Sequence, residues 1–110
     1  EGLRNRERWI AFNLPCAGKV EVDEGAYQAI KFRGKSLLPS GIRQVHGSFS
    51  LGDAIEIVSE SGTSFARGLV NYSSEEVARI KGRKSLEIEK VLGYRHYDEV
   101  VHRDNLVLLS

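Results

Sequence analysis

The stretch VDEGAYQAIKFRGKSLLPSGI, residues 22–42, decides how the chain is read. Asp23 is placed to cap a helix, because its carboxylate can accept the free N–H groups of a first turn. Val22 and Tyr27 stand where a hydrophobic staple would fix the entry. Val22, Ala26, Ala29 and Ile30 fall on one helical face. Lys31 and Arg33 load the last turn with positive charge, as the helix dipole prefers, and Gly34 supplies a left-handed stop. Leu37 and Leu38 then run into Pro39-Ser40-Gly41, which must turn. A helix delivered this closely onto a tight loop of small residues suits a ligand platform. It suits equally the plug of a small β barrel, and the stretch itself leaves both open.

Working outward, Trp9 to Leu14 reads as a strand stopped by Pro15, and Cys16 to Lys19 as a turn. Ile42 to Phe49 reads as a strand weakened at Gly47. Ala54–Val58 and Phe65–Val70 read as a hairpin joined through Glu60 to Thr63, with Gly68 marking a bulge or a close backbone approach. Ser73 and Glu76 form a capping-box pair ahead of a helix that Gly82 ends. A second short helix begins at Ser85 and ends at Gly93. His102 to Asn105 reads as a turn into a last strand. The expectation is an α+β domain, mainly β, with about five or six mostly antiparallel strands in a barrel-like sheet and three short helices.

The chain has 110 residues, a net charge of +1, one cysteine and no methionine. That length predicts one domain with a single core. No apolar run approaches a membrane span, so no membrane partner is expected. A lone cysteine excludes an internal disulfide and fits the reducing cytoplasm, where the chain is expected to reside. Cys16, beside a strand end, is read as a small apolar residue with no assignable role. The missing methionine and the charged opening over residues 1–8 lead to the expectation of a fragment, whose first residues are the end of an interdomain linker. The domain proper is placed at 9–110.

Three apparent motifs fail on their chemistry. Gly34-Lys35-Ser36 lacks the earlier glycine of a phosphate-binding loop, since Ala29 stands there, and follows a helix instead of leading into one. His102-Arg103-Asp104 lacks the asparagine that a kinase catalytic loop requires, since Leu109 stands there. His46, His96 and His102 lack metal-ligand spacing, so no metal site is expected. No local set of nucleophile, base and acid appears, and no catalytic residue is expected.

From Trp9 onward the chain resembles the PUA domain, and within that family the form at the C-terminus of bacterial glutamate 5-kinase. The general pattern is carried by Val22 to Ala26, Gly34 to Pro39 with Gly41-Ile42, Phe49 and Gly52-Asp53. The more specific stretches are Ala66-Arg67-Gly68-Leu69-Val70-Asn71-Tyr72-Ser73-Ser74 and Val100 to Leu108. The departures are small: Ser40 stands where valine is frequent, and Phe65 where isoleucine is.

The resemblance implies a pseudo-barrel with helices packed on it. It implies a parent enzyme that phosphorylates the side-chain carboxylate of glutamate with ATP and magnesium, the first step of proline biosynthesis. The ATP and Mg sites would lie in an amino-acid-kinase domain of the same chain, with none in these 110 residues. The 110 residues would then be a regulatory or assembly module, in a parent that forms a homo-oligomer. The Arg79, Lys81, Arg83, Lys84 run would lie at a contact or simply match a helix dipole. The alternative is an RNA-binding module. PUA domains of RNA-modifying enzymes hold RNA beside the first helix and the loop after it, which here means Gly34, Lys35, Ser36, Leu37 and Leu38, with Arg43 nearby. Lysine and arginine would neutralise phosphate, and apolar surface would pack on bases. The near-neutral charge and the scarcity of aromatics at those positions argue against it.

Overall fold

The computed structural model describes residues 13–109. The expected linker end over 1–8, and most of the strand expected at Trp9 to Leu14, lie outside them. At the described end of that strand the expectation fails: Asn13 has helical backbone and Leu14 lies in a bend. Leu14 leaves the helix because the ring of Pro15 disfavours helical backbone in the residue before it.

Five strands form one mixed sheet in the order β2-β1-β3-β4-β5. They are β1 (Gly18–Val22), β2 (Ile42–Gly47), β3 (Ala54–Val58), β4 (Ser64–Leu69) and β5 (Leu106–Leu108). The β1–β2, β3–β4 and β4–β5 ladders are antiparallel, and β1–β3 is parallel. Among the described residues three α-helices with both ends defined accompany the sheet: α1 (Glu24–Arg33), α2 (Ser74–Ile80) and α3 (Ile88–Leu92). The architecture is α+β and mainly β, as expected.

β1 corrects the expected turn at Cys16 to Lys19. Gly18 and Lys19 are strand residues, and the strand runs on through Val20 and Val22, both fully buried. Its signal is a single short alternation, and what makes it a strand is pairing on both sides. The β3–β4 hairpin stands close to where the alternation put it. Its register slips between Ile57 and Val58, not at Gly68. Gly68 marks the close approach instead, since a Cβ there would lie 2.4 Å from Val101 Cγ1.

Both helix caps form as the sequence predicts. Asp23 accepts from the Ala26 N–H at 2.8 Å, and Gly34 ends α1 at φ 64°. Ser73 accepts from the Glu76 N–H at 3.2 Å while Glu76 accepts from the Ser73 N–H at 2.8 Å. The expected apolar face of α1 is divided. Ile30 enters the core with Val20, Val22, Ile55 and Ile57, while Ala26 and Ala29 are half-buried. They face outward into a groove.

Candidate functional site

That groove has a volume of about 620 Å³. One wall is α1, through Gly25, Ala26, Ala29 and Arg33. The other wall is made by two antiparallel segments that carry Lys35 to Gly41 and Glu99 to Arg103. They are joined by a bridge between Leu37 and Val101, in which the Leu37 N–H donates to the Val101 carbonyl at 2.9 Å. Small residues let the walls approach. A Cβ on Gly41 would stand 2.6 Å from the Ala26 Cβ, so only glycine keeps the Pro39–Gly41 3₁₀ turn against α1.

The structure brings together only part of the predicted set. Lys35, Ser36 and Leu38 line the groove, and Leu38 is exposed. Gly34 lies instead in a smaller neighbouring pocket beside β5. Leu37 is fully buried in the core, and both its backbone polar groups are engaged with the Val100–Val101 segment. Neither its side chain nor its backbone can therefore serve a ligand, which corrects its place in the set. Arg43 is on the edge strand β2, 3.4 Å from Glu60, and is not in the groove.

Two groove residues escaped sequence reasoning: Glu99 and Arg103. Both come from a segment whose fold is set by distant partners. Glu99 stands two residues before the bridge at Val101 and Arg103 two residues after it. The Arg103 N–H donates to Ser36 Oγ at 2.7 Å, which ties that end of the wall. His102 Nδ1 accepts from the Asp104 N–H at 3.0 Å and caps the 3₁₀ turn Arg103–Asn105. The signal in the sequence was the HRDN string, read as a plain turn. Nothing local in it points to Lys35.

The charges are sorted along the groove. The Asp23 N–H donates to the Gly41 carbonyl at 2.9 Å, which sets that acid beside Gly41. The Arg103 N–H bonded to Ser36 Oγ sets Arg103 beside Lys35, two residues after Arg33, and Glu99 also lines the groove. Glu99, Arg33, Lys35 and Arg103 form no ion pair with one another among the described residues. Among the described residues no aromatic side chain lines the groove.

Elsewhere, the Arg79, Lys81, Arg83, Lys84 run is exposed around the end of α2, with Arg79 donating to the Val91 carbonyl at 2.5 Å. Cys16 is half-buried and accepts from both Nε and Nη2 of Arg67, at 3.1 and 3.0 Å, so it is more than an apolar filler. Glu76 accepts from the Tyr94 hydroxyl. Burial pushes the Glu76 carboxyl up, but the hydrogen bonds of Tyr94 and Ser73, with His96 nearby, together hold it below its ordinary value. The same bond, with Glu76's charge, raises the Tyr94 phenol. Among the described residues no group of three or more His, Cys, Asp or Glu could hold a metal ion, and no helix is long and apolar enough to cross a membrane.

The family model for the PUA domain matches residues 18–92. The glutamate 5-kinase of Thermoanaerobacter sp. strain X514 is 54% identical over 108 residues, covering 98% of this chain and 29% of that protein. The glutamate 5-kinase of Caldanaerobacter subterraneus subsp. tengcongensis is 55% identical over 108 residues, with the same two coverages. The chain thus spans about 29% of the length of these relatives. Among solved structures, a PUA domain from Aeropyrum pernix K1, crystallised as a tartrate complex, superposes with a TM-score of 0.58. It is 24% identical, over 78% of this chain and 41% of that one, and shares the fold.

Proposed function

The chain belongs to the PUA domain family, and from that membership we propose that it is the non-catalytic C-terminal module of a glutamate 5-kinase, acting in regulation or assembly. The observation that carries this is identity above one half over almost the whole chain to two enzymes of that one name. On this reading an amino-acid-kinase domain of the same longer chain holds ATP, magnesium and glutamate, in the cytoplasm. The PUA module contributes contacts, either to that domain or to another subunit of a homo-oligomer, that bias the enzyme's response to its ligands. A contact of that kind changes activity only so far as it differs between the enzyme's states.

The test compares the parent enzyme with and without this segment. Removing it should leave ATP-dependent glutamate phosphorylation in place and shift the magnesium dependence or the inhibition by proline. Superimposable curves for the two forms would reject a regulatory role.

RNA binding is the second reading, and the convergence of Arg33, Lys35 and Arg103 on one end of the groove favours it. Against it stand Asp23 and Glu99 in the same lining, where a chain with a phosphate at every nucleotide would meet like charge, and the lack of an aromatic stacking surface among the described residues. Gly34, Leu37 and Arg43 give it no support from where they lie. Titration with structured RNA at two salt concentrations separates the readings. Phosphate contacts at Lys35 and Arg103 predict binding that weakens steeply with salt, with a slope reduced by about one for each residue changed to alanine.

A further inference from the structure

The groove is polarised along its length, and that polarity specifies a ligand more narrowly than its size does. Asp23 and Arg33 are expected at the two ends of any helix, because they oppose its dipole. Glu99 and Arg103 have no such reason, since they belong to the facing wall. Yet they run in the same order: Arg103 is tied to Ser36, next to Lys35, and Glu99 lies four residues away, on the other side of the Leu37–Val101 bridge. None of these charges forms an ion pair with another among the described residues, so each is left to meet a ligand. Between the charged residues the walls carry Ala26, Ala29 and Leu38, which offer no charge.

The spacing narrows the occupant. Ten residues separate Asp23 from Arg33, and at 1.5 Å per residue the ends stand about 15 Å apart. A free amino acid cannot span that distance. A nucleic-acid strand carries only one sign of charge. An extended peptide advances about 3.3–3.6 Å per residue, so residues about four apart along it reach the two ends.

We propose that the groove is a docking site for an extended polypeptide segment with a lysine or arginine at one end and an acidic side chain about four residues away. The basic group lies between Asp23 and Glu99. The carboxylate lies among Arg33, Lys35 and Arg103, and the intervening residues cover Ala26, Ala29 and Leu38. The inference rests on the assembly reading above, in which the partner is protein, and it supplies the surface and the chemistry that reading lacks. It predicts specificity by charge order more than high affinity, since exposed charge pairs contribute little each.

The experiment uses the 110-residue chain and three capped peptides: acetyl-Lys-Ala-Ala-Ala-Glu-amide, its Lys/Lys counterpart and its Glu/Glu counterpart. A short oligouridylate is the fourth probe. The amide signals of Ala26, Ala29 and Ser36 report on the groove by NMR. The mixed peptide should shift these signals saturably, about tenfold more tightly than either single-sign peptide. The Asp23→Ser, Glu99→Gln double variant keeps a side-chain cap on α1 and should lose the preference over the Glu/Glu peptide. Equal affinity for all three peptides, no saturable shift, or oligouridylate binding the same amides more tightly than any peptide would each overturn the proposal. If the peptides fail while removal of the segment still changes the parent's regulation, the groove is the wrong surface and the regulatory reading survives.

Discussion

The β3–β4 hairpin and the segment from Tyr94 to Asn105 lie on the same molecule and are held in opposite ways. In the hairpin, Ala54, Ile55, Ile57 and Val58 are all buried and the backbone is paired along an antiparallel ladder that slips once, between Ile57 and Val58. Its structure is written in its own alternation and in turn residues at its tip. The later segment is mostly irregular. It is pinned by side chains reaching its backbone from elsewhere: Tyr72 at Tyr97, Asn71 at Glu99, Ser85 at Asp98 and Ser36 at Arg103. The first kind of order can be read locally and gives the core. The second depends on partners up to 67 positions away, and it is the kind that sets Glu99 and Arg103 on the groove.

The hardest blow to that contrast falls on the hairpin. Ile57 is fully buried, in the strand that pairs with both β1 and β4. Ile57→Ala removes buried methyl groups and leaves a cavity, so it should cost about 2–5 kcal/mol of the whole domain's stability. Urea unfolding followed by tyrosine fluorescence and by far-UV circular dichroism should show one shifted transition. Two separated transitions would mean that the hairpin and the pinned segment unfold independently, and the contrast would be one of domains and not of bonding.

A milder change sharpens it. The Tyr72 hydroxyl, on a ring 1% exposed, donates to the Tyr97 carbonyl at 2.5 Å and accepts the Tyr97 N–H at 3.0 Å. One hydroxyl thus satisfies both polar groups of a single residue. Tyr72→Phe preserves the ring and its edge-on contact with Tyr97, and should cost about 1–3 kcal/mol. Faster hydrogen exchange should be confined to the irregular segment, with the β3–β4 amides unchanged. If the hairpin amides accelerate equally, the segment is no local appendage but part of the core's cooperative unit.

What the sequence revealed divides along the same line. The caps at Asp23 and Ser73, the stop at Gly34 and the hairpin strands each need only near neighbours, and each was legible. β1 was divided between a turn and a helix entry, because its two valines mean little until β2 and β3 pair with them. Lys35 was found as a groove residue and Arg103 was not, although they share one end of the site. Lys35 follows a helix whose course is predictable, whereas Arg103 is brought there by a bridge at Val101 that no local pattern announces. Leu37 was misassigned for the complementary reason: apolar periodicity cannot tell which of two adjacent leucines turns inward.

The smallest predicted effect concerns the clasp between the regular and the pinned parts. Glu76 belongs to the capping box of α2 and also takes the hydroxyl of Tyr94, so one carboxylate serves both kinds of order. Its pKa is held below the ordinary 4.5, so the charged form is favoured in the folded chain. A group lowered in this way stabilises above its unfolded pKa, and that stabilisation fades as pH falls through the folded value. Glu76→Gln retains an acceptor for the Ser73 N–H but no charge, so the cap persists while the bond to Tyr94 weakens. The variant should be less stable at neutral pH by about 0.3 kcal/mol, a size set by solvent screening of a largely exposed group. The difference should vanish as the pH falls through Glu76's folded pKa, which lies below 4.5, and the Tyr94 phenol should titrate at lower pH in the variant. A stability gap that persists undiminished in acid would mean that the carboxylate's shape, not its charge, joins α2 to the pinned segment.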